Sequence, residues 1–107
     1  MNKNLINKLL KFRDDRDWKQ FHTAENLAKS ISIESAELLE LFQWTGNANI
    51  EELKDEIADI YIYLLLLATN LNIDLNEIAD KKIDKNKQKY PIAKSKGNSK
   101  KYTKFSK

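Results

Sequence analysis

The chain has 107 residues, 41% of them hydrophobic and 33% charged, with two Gly, one Pro and no Cys. That length suits one domain, the absence of cysteine excludes disulfides and thiolate metal centres, and the composition suits amphipathic helices better than sheet. The formal charge of +3 hides two blocks: residues 1–80 carry eight Lys and Arg against fifteen Asp and Glu, and residues 81–107 carry eleven Lys against one acid.

Residues 3–14 place apolar side chains at 5, 6, 9, 10 and 12, the spacing of a short amphipathic helix. The charge-dense run from Arg13 to Trp18 reads as irregular. Thr23 is placed to cap a second helix over residues 24–43, which ends before a turn at Gly46. Asn49, with Glu52 three residues later, opens a third helix over 50–71. Asp74 and Glu77 repeat that pattern for a fourth helix over 75–89, which Tyr90-Pro91 should stop. Residues 92–107 are rich in Lys, Ser and Asn without periodicity and read as a mobile tail. The expected fold is all-α: a single domain over 1–107, with a four-helix, bundle-like body over about residues 3–90 and a basic tail from about 91. Between Ile57 and Ala68 the third helix is apolar nearly all round except at Asp59, so neighbours should bury most of it. A chain this short has limited core of its own, and oligomerisation would complete it. No signal peptide is recognisable, and the run Ile60–Ala68 is about half of the ~20 residues a membrane span needs. The expected setting is cytoplasmic, with no membrane partner.

Four acids are conspicuous for where they fall. Glu34 and Glu37 are three apart, as are Glu56 and Asp59, so each pair shares a helix face. Leu27, Ile31, Leu38 and Leu41 fall on the stripe of Glu34, and Leu53, Ile60, Tyr63 and Leu67 surround Glu56. Acids normally occupy the opposite face. A short turn folds the two helices together, so the four carboxylates would meet desolvation and mutual repulsion unless protonated. A hard divalent cation with oxygen ligands removes that difficulty. Mg²⁺ also keeps positions open for water and phosphate. The alternative is a solvated face or a salt-bridge ladder, with Lys29, Lys54 and Arg16 as possible partners. Glu40 flanks the stripe as a possible outer group, while Glu51, Glu52 and Asp55 read as first-turn acids facing the helix dipole.

Trp18, Phe21, His22, Phe42 and Trp44 flank this acidic stretch. Each alone could be core, but two Trp in or near loops suggest flat rings that stack on a base. Lys82 and Asn86 are four apart on the fourth helix and share a face. They offer a point charge and amide donors suited to phosphate. Lys81, Lys85, Lys87 and Lys89 read as a solvated face.

In order along the chain, Asp15-Arg16-Asp17-Trp18, Gln20-Phe21-His22, Asn26-Leu27, Glu34 to Trp44, Glu56-Ile57-Ala58-Asp59, Asp84-Lys85-Asn86 with Tyr90-Pro91, and Lys96-Gly97 with Lys101-Tyr102-Thr103 resemble the MazG-like nucleoside triphosphate pyrophosphohydrolases, most of all the dCTP pyrophosphatase branch. These matches span about residues 12–105. The resemblance implies an all-α homodimer or homotetramer holding Mg²⁺ through Glu34, Glu37, Glu56 and Asp59. It also implies cleavage of a nucleoside triphosphate between the α- and β-phosphates, with Glu34 as the catalytic residue that orients water. By the same resemblance Trp18, His22, Trp44 and Tyr63 match the nucleoside pocket, Lys82 and Asn86 match phosphate contacts, and Tyr102 belongs to the substrate set. Ser35 stands where the wider family often has a second Glu, in agreement with the dCTP-like branch. The runner-up reading is a helical nucleic-acid-binding module that uses the basic tail; a third is a helical partner protein that uses the Ile57–Ala68 surface.

Overall fold

The computed structural model describes residues 2–101 and 103. Every regular element among them is helical: α1 Lys3–Asp15, α2 Ala24–Glu40, α3 Ile50–Asn70, α4 Leu75–Lys89 and α5 Ile92–Ser95, with a 3₁₀ turn at Lys19–Phe21. The chain forms two compact units, residues 1–74 and 75–107. In the first, α2 packs along α3 and α1 also touches α3.

Side-chain caps set the helix starts. The Asn2 side chain accepts from the amides of Asn4 and Leu5, Thr23 Oγ1 from that of Asn26, and Asn49 Oδ1 from those of Glu51 and Glu52. Each satisfies amides that lack an intrahelical partner. Two helices end in left-handed closures. After α1, Asp17 takes φ 55°, its amide donates to the Asp14 carbonyl, and the Trp18 amide reaches back to the Arg13 carbonyl at 3.1 Å. After α3, Asn72 takes φ 57° and the Ile73 amide donates to the Ala68 carbonyl at 2.8 Å. Both are Schellman closures, with Asp or Asn in place of the commoner Gly. Gln20 holds Asp17 in place by donating to its carbonyl and its carboxylate.

Three boundaries differ from expectation. The first helix, expected over 3–14, ends at Asp15, so Arg13, counted also in the irregular run, stands inside it and is half-buried, continuing the stripe of Ile6, Leu9 and Leu10. The second stops at Glu40 rather than 43. Leu41, Phe42 and Gln43 then donate to carbonyls three residues back, a tightened 3₁₀-like winding that satisfies the terminal carbonyls. The third difference lies in the basic segment, where Ile92–Ser95 forms one helical turn after Pro91.

The first unit's interior is small. Leu9, Leu27, Leu65, Leu66 and Ala68 are the buried hydrophobic residues, with Leu27 and Leu65 each 1% exposed. Large apolar side chains stay open elsewhere in this unit, including Ile33, Leu39, Ile57 and Tyr61. The burial expected around the apolar run of α3 is thus reached at Leu65–Ala68 and not at Ile57 or Tyr61. No single helix among the described residues is long and apolar enough to cross a membrane.

Candidate active site

The packing of α2 on α3 turns two i, i+3 acid pairs toward each other. One carboxylate oxygen from each of Glu34, Glu56 and Asp59 lies within 4.8 Å of the others. Glu34 and Glu56 are half-buried, whereas Asp59 and Glu37 are exposed. Oε2 of Glu34 and Oε2 of Glu56 are both buried and have no hydrogen-bond partner. Burial is the main cause that pushes the Glu34 carboxyl up to about 7, with carboxyl–carboxyl contacts to Glu37 and Glu56 and the charge of Asp59 adding to it. Burial also raises Glu56, and the charges of Glu37 and Asp59 raise it further. Glu37 therefore belongs to the same cluster, at its open edge.

A salt-bridge ladder does not explain these acids. Lys29 pairs with Glu25 at 3.1 Å and Lys54 with Glu51 at 3.2 Å. Arg16 donates to the Phe12 carbonyl and lies 3.9 Å over the Phe12 ring. Among the described residues no ion pair reaches Glu34, Glu37, Glu56 or Asp59. Ser35 turns away, its hydroxyl donating to the Ile31 carbonyl at 2.8 Å. Crowded acceptor oxygens without donors fit a hard cation: the oxygen chemistry matches Mg²⁺, and an ion would satisfy the two orphaned oxygens at once.

The acids open onto a cleft of about 300 Å³ lined by Leu9, Phe12, Arg13, Trp18, His22, Glu34, Asp59, Ile62, Tyr63 and Leu66. Opposite the acids, Trp18 makes edge-to-face contacts with Phe12 (centroids 5.6 Å apart) and with His22 (6.5 Å). The backbone fixes this corner. Trp18 follows the α1 closure, and the 3₁₀ turn begins with the Phe21 amide donating to the Trp18 carbonyl at 2.9 Å. Asn70 of α3 donates to the His22 carbonyl at 3.0 Å, which ties this loop to the end of α3. Burial, aided by the Arg13 charge, lowers the His22 pKa. That favours the neutral ring, which has one nitrogen to donate and one to accept. Its Nδ1 is buried without a partner.

Of the residues singled out from the sequence, Trp18, His22, Tyr63, Glu34 and Asp59 line this one cleft, and Glu37 and Glu56 join the acid cluster. Trp44 is 90% exposed and does not line it. Lys82 and Asn86 stand on α4 in the second unit, Lys82 exposed and Asn86 half-buried. The Lys82 amine is held below its ordinary pKa first by the charge of Lys89, then by desolvation and Lys85. Tyr102 lies outside the described residues.

Sequence reasoning missed Arg13 and Phe12. Arg13 was assigned to an irregular charged run, yet its side chain is only 12% exposed. The signal was present, since residue 13 is where the 6, 9, 10 stripe next returns.

The profile of the family described as MazG-like matches residues 29–105. The chain is 38% identical to dCTP pyrophosphatase 1 of Rattus norvegicus over 102 residues, covering 86% of this chain and 60% of the relative. Against dCTP pyrophosphatase 1 of Homo sapiens the identity is 35% with the same coverage. The chain thus spans about 60% of the length of these curated relatives. A solved structure, a pyrophosphatase from Archaeoglobus fulgidus, superposes with a TM-score of 0.76 at 46% identity, covering 83% of this chain and 91% of that one.

Proposed function

The chain belongs to the MazG-like family, and on that premise we propose that it is a Mg²⁺-dependent nucleoside triphosphate pyrophosphohydrolase acting on dCTP-like pyrimidine nucleotides. The observation that carries this reading is the partnerless carboxylate cluster at the mouth of an aromatic cleft. Water attacks the α-phosphorus, the bond to the oxygen bridging the α- and β-phosphates breaks, and monophosphate and pyrophosphate leave. Bound Mg²⁺ would neutralise charge on the phosphates and favour an attacking water.

The chain's own residues do the positioning on which such displacements depend. Glu37, Glu56 and Asp59, with Glu34, would hold the ion through oxygen. Glu34 and Asp59 both belong to the three-carboxylate cluster and line the cleft with Trp18 and His22; of the two Glu34 is the half-buried one, and its carboxylate is assigned to orient the water. Trp18 and Tyr63 offer faces to the base, while Leu9, Ile62 and Leu66 form a wall that keeps solvent off the ring. Lys82 and Asn86, one turn apart on α4, are assigned to the phosphates.

The protein is further proposed to act as a homodimer or homotetramer. Five buried hydrophobic residues are few beside the apolar side chains left open on α2 and α3, and a second copy of those helices would cover them. A base contact from Trp44 would then arrive across that interface.

The test is a panel of the eight common NTPs and dNTPs, assayed for pyrophosphate with and without Mg²⁺. Release that needs Mg²⁺ and is lost in E37Q and D59N supports the reading. No release from any nucleotide refutes it.

A further inference from the structure

We propose that Arg13 reads the base, donating two parallel N–H groups to adjacent acceptors on a pyrimidine ring held against Trp18. This rests on the nucleotide reading above and adds a specificity-determining residue to it. Arg13 Nε donates to Asp14 Oδ1 at 2.8 Å. Among the described residues its terminal nitrogens have no other hydrogen bond. A guanidinium whose side chain is 12% exposed and lines the cleft thus has donors free to meet a ligand there.

Its position selects the base rather than the phosphates. The charges acting on Glu34 and Glu56 are those of other carboxylates, whereas the Arg13 charge acts on His22, at the aromatic end. The Arg13 carbonyl also receives the Trp18 amide at 3.1 Å, so one helix closure joins the two residues, and both line the same cleft. A ring stacked on Trp18 would then have Arg13 within that cleft to meet its edge.

The fork matches one pyrimidine edge and not the other. Cytosine has acceptors at O2 and N3 side by side, which suit two parallel donors. Uracil and thymine carry a hydrogen on N3, which would meet the fork donor to donor. A bidentate side-chain–base pair of this kind discriminates by about 5–150-fold.

The experiment compares kcat/KM for dCTP and dUTP, substrates that differ only on this edge, in the wild type, R13K and R13A. In parallel, tryptophan fluorescence follows binding of dCMP and dUMP in EDTA, where no turnover intervenes. Lysine keeps the charge and loses the fork. The expected result is a wild-type preference for cytosine in both measurements, of about 5–150-fold, that falls to near parity in R13K and R13A. An equal loss on both bases would place Arg13 on the phosphates and overturn the proposal. So would an unchanged cytosine-to-uracil ratio, or a wild type that shows no preference. A wild type that neither cleaves nor binds any nucleotide would instead sink the underlying nucleotide reading.

Discussion

Replacing Glu34 with Gln should make the metal-free protein more stable while removing its activity. Glu34 shares a space of at most 4.8 Å between ligand oxygens with Glu56 and Asp59, and one of its buried oxygens has no partner. Two unit charges at that separation repel by about 3.5 kcal/mol at an effective dielectric constant of about 20, and by about 0.9 kcal/mol in bulk water. The site is only half-buried and its cleft is open, so the lower end applies, ~1–2 kcal/mol in all. Glutamine also brings an N–H₂ that can donate to a neighbouring carboxylate. For a domain near this size ~1 kcal/mol moves Tm by about 4–8 °C. The pH dependence gives the sign. The folded carboxyl is raised from its ordinary 4.5 to about 7, so the folded state holds this proton more tightly than the unfolded one. Wild-type stability therefore falls as pH rises from 4.5 through 7 and is lowest above that. At pH 8 in EDTA, E34Q should melt higher than wild type at equal protein concentration; at pH 5 the gap should close. Mg²⁺ at pH 8 should then stabilise the wild type, by about 1.4 kcal/mol at ten times its Kd, and E34Q by less. If E34Q melts below wild type at pH 8 in EDTA, or if Mg²⁺ leaves the wild type unmoved, the carboxylates are not held in mutual repulsion and the reasoning fails.

Other substitutions test other parts of the site. W18A should raise KM by about 5–150-fold with a smaller effect on kcat, since stacking on one ring contributes ~1–3 kcal/mol per base; steady-state kinetics on the preferred nucleotide decides. L27A, at a side chain 1% exposed, should cost ~2–5 kcal/mol. With so few residues in the interior, thermal melts should show a large loss of stability or no folded protein. Truncation after Pro91 should raise KM or lower kcat by removing six lysines that can fold over a polyanionic substrate; unchanged kinetics would assign the tail no part in catalysis. Sedimentation equilibrium should give two or four times 12.5 kDa, and a monomer would remove the proposed interface.

The acid pairs were legible in the sequence because the helical repeat alone places Glu34 among Leu27, Ile31 and Leu38, and residues that share a stripe must meet whatever packs there. The caps at Thr23 and Asn49 were legible for a local reason: their side chains bond amides two or three residues away. Arg13 was obscured because charge density was allowed to outweigh periodicity. The closure at Asp17 left little trace, since the usual sign of a left-handed residue is Gly and this one is an Asp held by Gln20. The end of α2 depended on the tightening of its last carbonyls, which no single residue marks. Trp44 was grouped with Trp18 from its place in the sequence beside the acids, but exposure separates the two: 90% against 43%.

Glu56, Asp59, Ile62, Tyr63 and Leu66 all belong to one unbroken helix, and that makes α3 a gauge. At about 1.5 Å of rise per residue, roughly 6 Å separates Asp59 from Tyr63 and roughly 15 Å separates Glu56 from Leu66. The interval between ion and ring is thus cut into the pitch of a single rod. Adding or deleting one residue inside it would swing everything downstream by about 100°. The flanking loops can change length at little cost, and α1 can exchange Arg13, the residue proposed to meet the base. On the proposed function, descendants of this chain would be free to change which base they accept, but not how far that base sits from the bond they cut.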